Sequence, residues 1–292
     1  MRLARPAIPL RTWLIFFALV ALVLVAPDVL AQDQTQQRYT GILQAFRDQS
    51  IRWQGVLSAS ARWLFFTLAI AQFAWVNMEL ALRGGDISDF IAENTRGILA
   101  TGIMYVFLVH SFDWSTSLVM GFRQAGERAV IASAGAGAES TLDPAGVFQN
   151  GLIVAGSLFS QMGIWSGADN VSLVICALVL LVCFAFLAAF MALAIVESYI
   201  VIGASVLMLG FGGSRWTSDI AKRTLMYAVA VGAKLFTMQL IVGVAMGSVI
   251  TWAQTYESDN STSTLSLVGL VLLVTICAKM IPEIVQGILS GS

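Results

Sequence analysis

The chain has 292 residues, of which 58% are hydrophobic and only 11% are charged, and its formal net charge is -1. The charged share is about half that of an ordinary soluble domain, so the composition predicts a protein built in a membrane. A nearly neutral chain has no overall basic field that would attract a nucleic acid. The cysteines, Cys176, Cys183 and Cys277, all lie in apolar stretches, which gives no support to a disulfide framework or a zinc site.

Residues 1–31 have the pattern of a secretory signal, and the rival interpretation is an uncleaved membrane anchor. Three arginines precede the apolar stretch Trp13–Ala26, and Val29-Leu30-Ala31 supplies small residues before a cleavage point at Gln32. Both interpretations place the following residues outside the cytoplasm.

Residues 32–62 are predicted to form a periplasmic amphipathic helix. Its apolar side chains recur at mostly helical spacing between arginines and glutamines, and they are Tyr39, Ile42, Phe46, Trp53, Val56 and Leu57. Such a helix lies on a membrane surface or packs on a partner.

Apolar runs long enough to cross a bilayer, which takes about 20 helical residues, follow along the chain. They are Trp63–Leu82 and Gly97–Val119 within residues 63–119, and Val171–Val196, Thr224–Ile250 and Leu265–Leu289 within residues 171–292. The turn Ser214–Arg223 contains three basic residues, whereas the charged residues of Thr251–Thr264 are both acidic. This difference places Ser214–Arg223 in the cytoplasm and Thr251–Thr264 outside. The sequence therefore predicts an all-α integral membrane protein with about five transmembrane helices, a periplasmic mature N-terminus and a cytoplasmic C-terminus.

The third apolar run continues to Gly213 with a single charge, Glu197, and is too long for one straight span. We predict that the span ends near Glu197 and that Ile200–Phe211 is a re-entrant limb, too short to cross, on the cytoplasmic side. Gly210, Gly212 and Gly213 close the run, and glycine allows a backbone to bend or to pack closely at membrane depth.

The largest connection, residues 120–170, is predicted to be a periplasmic loop that contains helices. Asp143 and Pro144 make a favourable helix start, with Asp as the cap and Pro at the first helical position. The helix that follows is apolar enough to lie in the membrane interface, and we expect Gly151, Gly156 and Gly163 to interrupt it. A loop of this length is usually functional.

The sequence offers little chemistry for catalysis. The single histidine, His110, has Asp113 three residues along, and that pair alone makes neither a metal site nor a catalytic triad. No lysine follows a glycine, so a phosphate-binding loop is absent from the sequence. We therefore predict no enzyme activity, no metal and no cofactor.

Intramembrane charges are more informative. Lys234 lies 11 residues beyond Arg223 in the fourth span, about 16 Å along a helix axis. An unpaired lysine there costs a few kcal/mol, so we predict that Lys234 pairs with Glu197 or with a neighbouring subunit. Such a pair either fixes helix packing or lines a pore or gate. In the last span, Lys279 and Glu283 are spaced to pair with each other.

Three segments closely resemble the TrbL family, the P-type conjugative transfer proteins of type IV secretion systems: Glu197-Ser198-Tyr199, Gly210-Phe211-Gly212-Gly213-Ser214-Arg215-Trp216-Thr217, and Val231–Phe236. The resemblance covers most of the chain after the signal and includes the residues expected at a periplasmic interface, Phe46, Trp53, Asp143 and Pro144. Arg215 and Trp216 are expected to matter for assembly or transfer, and simple anchoring at the membrane interface is the alternative.

The resemblance implies a multi-pass protein of the bacterial inner membrane that acts as a channel or scaffold subunit of a conjugative machine. It implies a homo-oligomeric ring, transient contact with relaxase-bound single-stranded DNA and with pilin, and no nucleotide hydrolysis by the chain itself. The implied neighbours are the minor pilin, the bitopic and core-channel proteins and the cytoplasmic ATPases. A small-solute transporter or channel is the alternative, although transporters usually contain inverted repeats with paired broken helices.

Overall fold

The computed structural model describes residues 29–84, 86–134, 143–160, 167–255 and 261–291. Within them the chain is helical and contains no strand, which confirms the predicted all-α class. The helices are α1 (Val29–Arg83), α2 (Ile87–Val109), α3 (Ser111–Ala134), α4 (Pro144–Ser160), α5 (Gly167–Leu209), α6 (Ser218–Thr255) and α7 (Ser261–Ser290), with a 3-10 turn at Gly210–Gly213. Residues 1–28 of the predicted signal, and Gly163, lie outside the described residues.

Helices α1, α5, α6 and α7 are each long and apolar enough to cross a membrane, and α2 with α3 makes a fifth candidate that is bent by 63°. The predicted span Gly97–Val119 is not one continuous helix, because the helix breaks at His110, and its crossing of the membrane stays a prediction. The break leaves carbonyl groups that need donors, and the Ser111 hydroxyl donates to the Leu108 carbonyl at 2.8 Å. Because of this bend, α2 packs along α1 while α3 packs along α6.

Helix α5 is continuous for 43 residues, about 65 Å at 1.5 Å per residue. The predicted re-entrant limb at Ile200–Phe211 is therefore wrong. Ser198 and Ser205 lie inside this helix, and their hydroxyls donate to the carbonyls of Ile195 and Ile202 at 2.6 and 2.8 Å. No proline interrupts the segment, so nothing in its backbone requires a turn.

The predicted amphipathic helix and the first span are one helix, α1, of 55 residues. Its contacts with α5 follow one another in chain order. The Ser50 hydroxyl donates to the Tyr199 carbonyl at 3.0 Å, and 11 residues later Ala61 lies against Gly210. The two helices therefore run in the same direction, and α1 ends beyond the 3-10 turn beside α2.

The main core surrounds α5, which packs on α3, α4, α6 and α7. Helix α4 begins at Pro144, as predicted, and is not interrupted at Gly151 or Gly156. Gly151 instead allows the Phe184 ring of α5 to approach, since a Cβ there would lie 2.5 Å from the Phe184 Cβ. Val147 and Leu158 are fully buried. The helix of the large connection therefore packs onto the apolar bundle.

Whether the bent pair α2–α3 crosses the membrane is tested by reporter fusions at Gly137 and Ser292. With five spans and a periplasmic N-terminus, a fused alkaline phosphatase is active at Gly137 and a fused fluorescent protein is bright at Ser292. Because α1 and α5 run in the same direction, the chain has to cross once between them, and we expect this five-span result. Exchanged compartments, or both positions in one compartment, would contradict it.

Candidate functional site

The 3-10 turn Gly210–Gly213 packs directly on the backbone of α1. A Cβ at Gly210 would lie 2.8 Å from the carbonyl oxygen of Ala61, and a Cβ at Gly213 would overlap the carbonyl of Phe65. Atoms do not approach this closely in real contacts, so the glycines are needed for the contact itself. Of the two roles expected for these glycines, a backbone bend and close packing, the structure shows close packing.

The same turn contacts α2 and is closed by its own polar side chain. A Cβ at Gly212 would lie 2.6 Å from the Met104 Cε of α2. The Thr217 hydroxyl donates to the Phe211 carbonyl at 2.5 Å. The turn therefore has a fixed shape and is held between α1 and α2.

Gln72 of α1 is the polar partner of the turn, and sequence reasoning missed it. Its side-chain oxygen accepts hydrogen bonds from the Ser214 hydroxyl at 2.8 Å and from the Arg215 backbone N–H at 3.2 Å. The backbone N–H of Trp216 donates to the Ser214 hydroxyl at 3.3 Å. Gln72 lies in an apolar span, and a buried polar residue in such a span generally has a partner. That rule would have singled it out.

Arg215 and Trp216 reach two different helices. The Arg215 Nη1 lies 2.7 Å from Oε1 of Glu93 on α2. The Trp216 ring meets the Trp75 ring of α1 edge to face, with centroids 5.6 Å apart. Both side chains remain partly exposed, and a cavity of about 310 Å³ lies beside Arg215 between the turn, α1 and α2. The block is therefore a junction between α1, α2, α5 and α6.

The second polar cluster is centred on Glu197 of α5 and confirms the predicted pair. Lys234 Nζ of α6 donates to Oε2 of Glu197 at 2.6 Å. The other carboxylate oxygen accepts bonds from the Tyr227 hydroxyl of α6 at 3.0 Å and from Gln286 Nε2 of α7 at 2.9 Å. One carboxylate thus joins three apolar helices. Tyr227 and Lys234 are seven residues apart on one helix face, a spacing that would have linked them in the sequence.

A cavity of about 600 Å³ lies beside this cluster, between α5, α6 and α7. Lys279 and Glu283 line it, but the predicted ion pair between them is wrong, since the described part of α7 shows no contact between the two charges. Lys279 Nζ instead lies 5.9 Å from the ring centroid of Phe190. The aromatic face attracts the ammonium, which turns it away from its own helix.

The four residues predicted for a periplasmic interface lie on two helices. Phe46 and Trp53 are partly exposed on α1, where Trp53 lies near Gly203 of α5. At the start of α4, Pro144 is buried, and Asp143 Oδ1 lies 3.3 Å from Nη2 of Arg123 on α3. Asp143 and Pro144 therefore fix the start of α4, and their role at an interface stays a prediction.

His110 has no catalytic surroundings in the described part of the chain. Its ring stacks on Trp114 with centroids 5.8 Å apart. Across the described residues, no group of His, Cys, Asp and Glu side chains is placed to hold a metal ion.

The Glu197–Lys234 pair is tested by comparing Glu197→Gln, Lys234→Met and the double variant. The side chains are 26% and 18% exposed, so a single change leaves a largely buried group without its partner. We expect the double variant to lose about 1–3 kcal/mol less unfolding free energy than the sum of the single losses. The measurement is unfolding of the purified protein in detergent. Lys222→Met is the control, because Lys222 pairs with Asp219 at the exposed surface. Additive losses would contradict the pairing.

The backbone contact of the turn is tested with Gly213→Ala. The new methyl group overlaps the Phe65 carbonyl, so we expect a loss of stability of about 1–3 kcal/mol, as in other overpacked cores. Gly102→Ala on α2 is the matched control, because a Cβ there meets nothing within 4 Å. Equal melting temperatures for the two variants would show that the turn does not depend on this contact.

A family model described as TrbL/VirB6 plasmid conjugal transfer protein matches residues 44–281. The chain is 30% identical over 245 residues to a probable conjugal transfer protein TrbL of Sinorhizobium fredii, and 29% identical over the same length to a conjugal transfer protein TrbL of Rhizobium radiobacter. Each alignment covers 82% of this chain and 60% of the relative. The chain therefore spans about three fifths of the length of these relatives, and the resemblance found in the sequence is confirmed.

Proposed function

The chain belongs to the TrbL/VirB6 family of plasmid conjugal transfer proteins, and we propose that it is an inner-membrane scaffold or channel subunit of a conjugative type IV secretion system. In this proposal it supports the transfer of relaxase-bound single-stranded DNA and the assembly of the pilus. It hydrolyses no nucleotide, and the cytoplasmic ATPases supply the energy. The observation that carries the proposal is that the family match, residues 44–281, includes the Gly210–Thr217 block, the Glu197–Lys234 pair and most of the helical bundle.

The surface of the α1–α2 hairpin supports a place within a larger assembly. Large apolar side chains on both helices are more than half exposed, among them Trp63, Ile70, Ile98, Leu99 and Ile103. Exposed apolar surface of this extent faces lipid or another protein. We propose that neighbouring copies in a homo-oligomeric ring, the minor pilin, and the bitopic and core-channel proteins are the protein partners.

A small-solute transporter or channel is the second candidate. The observation that favours it is the cavity of about 600 Å³ that Glu197, Lys234, Lys279 and Glu283 line within apolar helices. Cross-linking of transferring DNA to this chain would separate a conduit from a scaffold. Loss of solute uptake, with conjugation intact, would favour the second candidate.

The secretion function is tested by complementing a deletion of the gene and counting transconjugants. We expect Trp216→Ala to abolish transfer while the protein still inserts at a normal level, because the junction contact with Trp75 is lost. Arg215→Glu should also abolish transfer, since it places two carboxylates together, and Glu93→Arg in the same chain should restore it in part.

Arg83→Gln is the control for these changes. Among the described residues its guanidinium pairs with Glu79 of the same helix, and we expect transfer at the wild-type frequency. Wild-type transfer by Trp216→Ala would reduce this residue to an anchor. A deletion strain that conjugates normally would overturn the proposed function.

A further inference from the structure

A second cavity, of about 580 Å³, adjoins the one beside Glu197. It lies between the C-terminal part of α5, the start of α6 and the end of α7. Val201 and Tyr227 line both cavities. The two cavities therefore form one groove, which runs along α5 from the level of Phe190 to the level of Arg223.

The end of this groove at Arg223, called the lower end, is lined by one basic side chain and by hydroxyl-bearing side chains. Arg223 is the one charged residue among those that line the second cavity, and Thr224, Ser205 and Ser290 lie around the same space. No ion pair joins Arg223 to an acidic side chain in the part of the chain described by the structure, whereas the adjacent Lys222 pairs with Asp219. The groove therefore presents a cation without a protein counter-ion.

The wall above Arg223 is apolar. Val201 and Ala204 line the lower cavity on the side of Arg223 that faces Glu197, and Leu193 and Ile200 continue this wall in the upper cavity. Met208 and Ile220 lie on the opposite side of Arg223, toward the Gly210–Gly213 turn. The upper cavity is also lined by the charged residues Glu197, Lys234, Lys279 and Glu283. Leu193 is 63% exposed and Ile200 44% exposed. In a membrane such side chains are covered by hydrocarbon, so the groove joins a basic end to an apolar strip formed by Ala204, Val201, Ile200 and Leu193.

We propose that the groove binds an anionic phospholipid, with the phosphate at Arg223 and an acyl chain against Ala204, Val201 and Ile200. Basic pockets between transmembrane helices on the cytoplasmic side bind anionic lipid headgroups, and the basic turn Ser214–Arg223 is predicted to face the cytoplasm. Each cavity has a volume in the range of about 300–1,000 Å³ that is usual for ligand sites.

The occupied groove stabilises the packing of α5, α6 and α7. The lipid contacts Tyr227, whose hydroxyl donates to Glu197, and it lies against the end of α7 at Ser290 and Gly291. A free phosphate ion fits the basic end but leaves the apolar strip uncovered. A lipid satisfies both, and its binding does not depend on what the assembly transfers.

The experiment uses the full chain purified in a neutral detergent. Binding and the melting temperature are measured with phosphatidylglycerol, phosphatidylcholine and inorganic phosphate, by native mass spectrometry and thermal unfolding. We expect phosphatidylglycerol to bind most tightly and to raise the melting temperature. Arg223→Gln should weaken that binding roughly fivefold, the contribution typical of one basic residue near a membrane surface.

Two further variants make the result specific. Lys222→Gln removes the neighbouring charge, which points to Asp219, and should leave phosphatidylglycerol binding unchanged. Ala204→Trp covers the apolar strip and should abolish binding without altering the basic end. If Arg223→Gln fails to fold, Ala204→Trp decides the question alone.

Three outcomes would overturn the proposal. Equal binding of phosphatidylglycerol and phosphatidylcholine would show that the headgroup is not recognised. An equal effect of Lys222→Gln and Arg223→Gln would indicate general surface charge, and a shift with inorganic phosphate alone would indicate an ion site. Because binding is measured on the isolated protein, a failure of conjugation in vivo does not affect the result.

Discussion

The contact between the Gly210–Gly213 turn and the backbone of α1 fixes the position of one long helix against another. Hydrophobic burial does little to hold helices together in lipid, because lipid tails are as apolar as leucine. Close packing of small residues and hydrogen bonds must do so instead. Once Gly213 lies on Phe65, Gln72 is in reach of Ser214, and Arg215 is in reach of Glu93.

Glu197 fixes neighbouring helices against α5 at a second position, through hydrogen bonds. A carboxylate among apolar helices needs donors, and here they come from Lys234, Tyr227 and Gln286. The demand of one charge thus joins α6 and α7 to α5. It also explains the continuity of α5, because a satisfied carboxylate has no need to lie at the end of a span.

Local features of the structure could be read from the sequence. The start of α4 at Pro144 was foreseen, and Glu197 was one of the two partners expected for Lys234, because both follow from strong local rules. A proline sets a helix start, and an intramembrane cation demands an anion. The all-α class followed from the length of the apolar runs.

Features that depend on other helices were not foreseen. Hydropathy gives the length of an apolar run but not where a helix bends, so the break at His110 and the continuity of α5 were missed. Gln72 and Gln286 have partners far along the chain, and no local pattern identifies such partners. Lys279 lies over the Phe190 ring of α5 instead of pairing with Glu283 on its own helix.

The length of α5 has a mechanical consequence. The helix measures about 65 Å, more than twice the thickness of the hydrocarbon core, about 30 Å. An unbroken helix transmits a change of orientation along its whole length, and a tilt of about 10° at one end displaces the other by roughly 11 Å over this distance. The C-terminal end of α5 is held by the Gly210–Gly213 turn. The helix therefore has the geometry of a lever arm whose N-terminal half packs against α4.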